Sequence, residues 1–174
     1  MNSLEKRVAL VTGAGQGIGA AIARRLAAAG AEVAVFDRQP EPAATLAREI
    51  GGLAVVGDVT SEADLERIHD EIKNRLGPID ILVNNAGISA LSLMSDEDDT
   101  KWHDIIDTNL NGMYLITKEV LRHIPDRSGG RVINISSVLG KFGVPGYTAY
   151  CTTKHGMIGF TRALALEVVQ RGIT

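Results

Sequence analysis

The sequence predicts an α/β fold in which helices cover both faces of a parallel sheet. Short apolar runs typical of buried strands alternate with longer amphipathic segments, and glycine or proline marks several boundaries between them. Parallel strands need a crossover connection, usually a helix, so this alternation favours a parallel sheet. The 174 residues suffice for a substantial core, and we expect residues 1–174 to form a single domain.

Apolar spacing and helix-stopping residues assign the elements in chain order. The third helix is the clearest, with Leu65, Ile68 and Ile72 about one turn apart and Gly77-Pro78 after it. Predicted strands span residues 8–11, 33–36, 53–56, 79–83 and 131–135. Predicted helices span residues 18–29, 41–50, 62–76, 102–123 and 149–171. Residues 171–174 resemble a turn entering another strand, so this chain is expected to lack the last strands of the sheet.

Composition and charge restrict the partners that we expect. A net charge of −3 leaves no basic surface for nucleic acid or an anionic membrane. No apolar run reaches transmembrane length, and the first seven residues lack a signal-peptide pattern, so we expect a cytoplasmic protein. Cys151 is the only cysteine and the four histidines form no ligand cluster in sequence, so no metal site is predicted.

A glycine-rich segment between the first strand and the first helix predicts a dinucleotide site. Residues 12–19 read TGAGQGIG, where glycines permit close approach of a pyrophosphate and the helix N-terminus offers free N–H groups. The simpler interpretation, a turn without a ligand, is less favoured because a strand precedes, a helix follows and an acidic residue stands about twenty positions on. The predicted cofactor contacts here are Gly13, Gly15, Gln16, Gly17, Ile18 and Gly19.

That acidic residue is Asp37, and it predicts NAD rather than NADP. A carboxylate after the second strand accepts hydrogen bonds from the adenosine ribose and repels a 2′-phosphate. Arg38 is the opposing observation, because a guanidinium binds phosphate well, so NADP stays the less favoured cofactor. Loop and acid together indicate a Rossmann-type, doubly wound sheet in three layers, helix, sheet and helix.

Tyr150, Lys154 and Ser137 form the candidate catalytic group. Tyr150 and Lys154 stand about one helical turn apart, so they share a helix face. A free phenol is a poor base near neutral pH, and a nearby ammonium favours the phenolate, which suits proton exchange with an alcohol or ketone. A tyrosine and a lysine on the surface of one helix would have the same spacing, so the spacing alone does not indicate catalysis. The other motifs of the chain favour the catalytic interpretation.

Together these motifs resemble the short-chain dehydrogenase/reductase family over essentially the whole chain. Residues 12–19 look like its cofactor loop, and the NNAG segment at 84–87 is similar to its motif after the fourth strand. The resemblance implies a catalytic tetrad of Asn109, Ser137, Tyr150 and Lys154. It implies cofactor contacts from Asp58, Val59, Asn85, Ala86 and Gly87, besides Asp37, Arg38, Tyr150 and Lys154.

The activity that this resemblance implies is hydride exchange between NAD(H) and a secondary alcohol or ketone. Tyr150 would act as general acid/base, and Lys154 would favour its ionisation and hold the nicotinamide ribose. Ser137 would donate a hydrogen bond to the substrate oxygen, and Asn109 would hold, through its backbone, a water linked to Lys154. Hydride passes directly between substrate and nicotinamide, so the reaction needs no metal.

Two other functions stay open. The first is an NADP-dependent reductase of 3-ketoacyl or polyketide substrates, to which residues 144–147 and 154–156 are similar. The second is a non-catalytic dinucleotide-binding protein, because the family's sixth and seventh strands and substrate lid have no counterpart in this chain.

Residues 88–95 and 139–147 are expected to contribute to substrate choice. In the family the helices at 102–123 and 149–171 pair across a dimer axis, so we also expect a homo-oligomer, which a monomeric mass in light scattering would contradict.

Overall fold

The computed structural model of the protein describes residues 3–126 and 129–174. Its strands are β1 (Val8–Thr12), β2 (Glu32–Asp37), β3 (Leu53–Val56), β4 (Ile81–Asn84) and β5 (Arg131–Asn134). They form one sheet in the order β3-β2-β1-β4-β5, and every neighbouring pair is parallel. The chain moves outward from β1 to β3 and then returns to the other side of β1, which confirms the predicted doubly wound sheet.

The helices agree with the predicted ranges to within three residues, with one exception. The described residues form α1 (Gly17–Ala28), α2 (Pro40–Ile50), α3 (Glu62–Arg75), α4 (Asp99–Ile106), α5 (Gly112–Leu121) and α6 (Thr148–Val168). The exception is the long helix predicted over 102–123. The chain is helical there from Asp99 to Leu121, but the five residues Asp107–Asn111 are π-helical and separate α4 from α5. Within the described residues, no helix is both long and apolar enough to cross a bilayer.

Alternate residues of the strands pack into two separate cores. Val8 and Leu10 of β1 face the layer formed by α3, α5 and α6, whereas Ala9 and Val11 face α1 and α2. All four side chains are at most 4 % exposed. A parallel sheet covered on both faces needs such continuously apolar strands, which explains why the strands could be recognised from sequence.

The last residues of the chain lie beside the outer edge of β5. After α6, Gly172 adopts the left-handed conformation with φ 70° and redirects the backbone. Thr174 then accepts a hydrogen bond from the Val132 N–H at 2.9 Å and donates one to the Gly130 carbonyl at 3.1 Å. The turn expected at residues 171–174 therefore brings the backbone into hydrogen bonding with the edge of the sheet.

Thr12 fixes the shape of the loops that follow β1 and β4. Its hydroxyl oxygen accepts the N–H groups of Asn85 and Ala86 at 3.0 and 2.9 Å. In return, the Asn85 amide donates to the carbonyls of Thr12 and Gly13, both at 3.0 Å. Two loops that are about seventy residues apart in sequence therefore hold one another in place.

Replacing Thr12 with valine should destabilise the protein by about 2 to 6 kcal/mol. Valine has nearly the same shape, but it leaves two N–H groups without an acceptor, each costing about 1–3 kcal/mol when shielded from water. Urea unfolding would measure the change. Thr152→Val is the matched control, because Thr152 is exposed and donates only within its own helix, to the Thr148 carbonyl. Equal stability of the two variants would refute a role for the Thr12 hydroxyl.

Candidate active site

A cleft of about 390 Å³ opens at the carboxyl ends of the strands, where the strand order reverses. This switch point is where doubly wound sheets bind their ligands. Most of the predicted site residues line the cleft. They are Gly13, Gln16, Ile18, Asp37, Arg38, Asp58, Val59, Asn85, Ala86, Gly87, Tyr150 and Lys154.

Five of the predicted residues do not line the cleft, and two of them, Gly15 and Gly19, instead make contacts that shape the glycine-rich loop. Gly13 lies in the left-handed region with φ 61°, and a Cβ on Gly19 would stand 2.3 Å from the Gly13 carbonyl oxygen. Gly19 thus permits the close contact between α1 and the loop. Gly15 donates its N–H to Asp37. The residues outside the lining are Gly15, Gly17, Gly19, Asn109 and Ser137.

The start of α1 is suited to bind an anion. Its N-cap residue, Gln16, makes no side-chain capping bond, whereas Ser61 caps α3 by accepting the Asp64 N–H. No acidic residue stands in the first turn of α1, and a Cβ added to Gly17 would meet open space. Because helix N-termini attract phosphate through unpaired N–H groups and the helix dipole, the residues present fit a dinucleotide pyrophosphate.

The Asp37 carboxylate is held at the cleft by backbone groups. One oxygen accepts the Gly15 N–H at 2.9 Å and the other accepts the Gln39 N–H at 3.0 Å. An ionised carboxylate has about four acceptor positions, so two of them remain for ribose hydroxyls. Arg38, the next residue, also lines the cleft, so a carboxylate and a guanidinium follow one another at the end of β2.

Lys154 is buried below Tyr150 at the other end of the cleft. The residue is 4 % exposed. Its ammonium donates to the Ile135 carbonyl at 2.8 Å and lies 5.5 Å from the centre of the Tyr150 ring. Burial lowers the pKa of Lys154 below its ordinary value. A poorly hydrated ammonium acts strongly on nearby groups, because little water screens its charge.

Ser137 follows β5, and its hydroxyl donates to no group in residues 3–126 and 129–174. Its oxygen accepts the Leu139 N–H at 3.2 Å, capping a short 3₁₀ turn at Val138–Gly140. With one lone pair occupied in this way, the hydroxyl proton is available for an external acceptor. The neighbouring Ser136 differs, since its hydroxyl donates to the Lys154 carbonyl at 3.0 Å.

Asn109 occupies the π-helical segment and is fully buried. Its amide oxygen accepts the Ile88 N–H at 2.7 Å, and its amide nitrogen donates to the Ile88 carbonyl at 2.8 Å. These two bonds tie the segment after β4 to the α4–α5 connection. A π-helical turn shifts the backbone pairing and is frequent at functional sites, which gives this asparagine a reason to interrupt the helix.

Several residues of the site gave no sequence signal. The backbone carbonyl of Ile135 binds Lys154, and Thr153 accepts the Asn109 amide at 3.3 Å. A carbonyl is present at every position, and a threonine on a helix carries no signal of such a contact. Thr108 and Ser136 also line the cleft without having been predicted.

No ligand cluster is visible among the histidines in the sequence, but the fold brings two of them together. His69 on α3 and His123 after α5 lie with their ring centres 4.1 Å apart, and Glu119 joins them. One ligand atom from each of the three residues lies within 4.8 Å of the others. Sequence could not show this, because 54 positions separate the two histidines.

Fold and site define a dinucleotide-dependent oxidoreductase, and comparison with known proteins agrees. The family model described as short chain dehydrogenase matches residues 7–174. The chain belongs to the short-chain dehydrogenase/reductase family, as the motifs indicated. It is an NAD(P)-dependent enzyme that acts on CH–OH groups.

Similar proteins include two 3-oxoacyl-[acyl-carrier-protein] reductases. The one from Haemophilus influenzae is 43 % identical over 173 residues, which are 98 % of this chain and 72 % of that protein. The one from Escherichia coli is 41 % identical over 174 residues, 99 % of this chain and 71 % of that protein. A gluconate 5-dehydrogenase from Burkholderia cenocepacia, solved with NADP and tartrate, superposes with a TM-score of 0.93 at 37 % identity. That comparison covers 99 % of this chain and 70 % of the other.

Proposed function

We propose that the protein interconverts a secondary alcohol and a ketone with NAD(H), and that Tyr150 is the general acid/base. The observation that carries this proposal is the buried Lys154 ammonium, 5.5 Å from the Tyr150 ring at one end of the dinucleotide cleft. The nicotinamide, when bound, supplies or accepts the hydride. The side chains of the protein then have to bind the substrate oxygen and move one proton.

Each proposed catalytic group has a separate task. Tyr150 exchanges a proton with the substrate oxygen, and the Lys154 charge stabilises the phenolate that this exchange requires. Ser137 donates its free hydroxyl proton to the same oxygen and orients it. Asn109 holds the segment that begins at Ile88 against the cleft through its two side-chain bonds. Its backbone, in the π-helical turn, is proposed to bind a water that is linked to Lys154.

The proposed cofactor is NAD, on the basis of Asp37. Its fixed carboxylate offers free acceptor positions to the ribose 2′- and 3′-hydroxyls and would repel the negative charge of a 2′-phosphate. The opposing observations are Arg38 in the cleft and the NADP bound to the gluconate 5-dehydrogenase.

Asp37→Asn should shift cofactor preference toward NADP. Asparagine keeps an oxygen for the Gly15 N–H but removes the negative charge. The ratio of the dissociation constants for NAD and NADP should move by about 10-fold or more, equivalent to about 1.4 kcal/mol. Calorimetric titration with each dinucleotide measures it. Asp104→Asn, an equal charge change on the exposed side of α4, is the control and should leave the ratio unchanged. Tighter binding of NADP by the unaltered protein would overturn the NAD assignment.

A second candidate is reduction of 3-oxoacyl thioesters with NADPH. The segments following Ile88 and Ser137 expose large apolar side chains, with Leu91 70 % and Phe142 62 % exposed. Such surfaces suit an acyl chain, and the two reductases named above act, by their names, on 3-oxoacyl groups. Comparing oxidation of NADPH by a 3-oxoacyl thioester with reduction of NAD by simple secondary alcohols separates the two candidates.

A further inference from the structure

His69 is a buried imidazole that finds no hydrogen-bond partner in the described part of the chain. It lies on the inner face of α3 and is only 4 % exposed. Neither of its ring nitrogens meets a donor or acceptor among the residues that the structure describes. Leaving a polar group buried and unpaired is unfavourable, so a native structure normally provides such a group with a partner.

The groups that surround His69 are those of a transition-metal site. The His123 ring lies 4.1 Å away between centres, and the His123 Nε2 is 3.2 Å from the Glu119 Oε1. The other oxygen of Glu119 accepts a bond from Arg122 at 3.1 Å, which orients the carboxylate and leaves Oε1 directed at the imidazoles. Two imidazole nitrogens and one carboxylate oxygen are ligands typical of zinc.

We propose that His69, Glu119 and His123 bind one divalent transition-metal ion of the zinc class. The ligand atoms of a tetrahedral zinc site lie about 3.4 Å apart, given metal–ligand distances of about 2.0–2.1 Å. The three atoms here lie within 4.8 Å of one another, so side-chain movements of about 1 Å would assemble the site. His123 can make this movement because it lies beyond the end of α5, and its side chain is 41 % exposed.

Charge and position favour a cation at this place. The cluster lies at the carboxyl end of α5, where the helix dipole is negative, and Asp70 adds a negative charge close to His69. The positive charges of Lys73 and Arg122 disfavour a bound cation, and the negative charge of the neighbouring Glu119 offsets them.

The ion would join two helices rather than take part in the oxidoreductase chemistry. His69 is on α3, whereas Glu119 and His123 belong to α5 and the turn after it, and none of the three lines the dinucleotide cleft. A bound ion would therefore hold the end of α5 against α3. The proposal does not depend on the catalytic roles given above.

Binding of Co²⁺ and Zn²⁺ to the chelator-treated, tag-free protein tests the proposal. We expect one Co²⁺ per chain with the visible absorption of a tetrahedral site, and its displacement by Zn²⁺. His123→Ala should weaken binding by about 100-fold or more, since even the outer partners of metal-binding histidines contribute about 10- to 100-fold. His103→Ala is the matched control, because His103 is an exposed histidine on α4 outside the cluster, and it should bind as the unaltered protein does.

Glu119→Gln provides a second variant, since it keeps the shape of the side chain while removing its charge. Zn²⁺ should raise the melting temperature of the unaltered protein and of His103→Ala, but not that of His123→Ala or Glu119→Gln. NAD titration of the same samples should give one affinity for all four proteins, which shows that they are folded. Binding of Zn²⁺ by His123→Ala as tightly as by the unaltered protein would overturn the proposal, as would equal weakening in His103→Ala.

Discussion

Tyr150→Phe is expected to reduce turnover by about 10²- to 10⁴-fold, the usual contribution of a general acid/base. Phenylalanine keeps the ring but has no proton to exchange with the substrate oxygen. Dinucleotide affinity should be nearly unchanged, because the residues that suit the pyrophosphate and the adenosine ribose lie at the other end of the cleft. Steady-state kinetics on a secondary alcohol that the protein oxidises, combined with NAD titration, measures both quantities.

Tyr114→Phe is the control for this variant. Tyr114 lies on α5, is 46 % exposed and does not line the cleft. The same loss of a hydroxyl at Tyr114 should leave turnover close to that of the unaltered protein. If Tyr150→Phe retained full turnover, the proton would have to move through another group, and the proposed role would be wrong.

Lys154→Met should impair both binding and turnover. Methionine is similar in length and fills the buried space, so we expect the fold to survive the removal of the charge. The dissociation constant for NAD should rise by about 10-fold, corresponding to about 1.5 kcal/mol for a lost hydrogen bond to a charged group. Turnover should fall by about 100-fold or more, since Tyr150 loses the charge that stabilises its ionised form.

The chain provides an unusually close control for this substitution. Tyr114 and Lys118 on α5 have the same four-residue spacing as Tyr150 and Lys154, and their ammonium-to-ring distance is 5.7 Å. Tyr114 is 46 % exposed and neither residue lines the cleft. Lys118→Met should therefore change neither NAD affinity nor turnover. Similar losses in both lysine variants would mean that removal of any such cation weakens the protein in general.

This second pair shows what the motif spacing could and could not establish. The four-residue interval occurs twice, and only one copy follows a serine-bearing strand end and becomes buried beside a cleft. The prediction of Tyr150 and Lys154 thus depended on the surrounding motifs. The proposed catalytic roles of Asn109, Ser137, Tyr150 and Lys154 stay predictions until the variants are measured.

The strands and most helices could be predicted because their signals are local. Alternation of apolar runs with amphipathic segments reports burial on both faces of the sheet, and glycine marks where helices stop. The π-helical turn could not be predicted, because it depends on the bonds between Asn109 and Ile88, which are 21 positions apart. The pairing of His69 with His123 depends on how α3 packs against α5, and neither helix carries a signal of that contact.

The position of β1 in the sheet has a consequence for synthesis of the protein on the ribosome. β1 is the first strand to be made, yet it is central, and its pairing with β4 joins Leu10 to Leu82. The hydrogen bonds between Thr12 and Asn85 span 73 positions, so they cannot form until β4 and the residue after it have left the exit tunnel. Until then the glycine-rich loop lacks the bonds from Asn85 to the carbonyls of Thr12 and Gly13. The growing chain therefore completes its cofactor loop only once residue 85 has emerged from the tunnel.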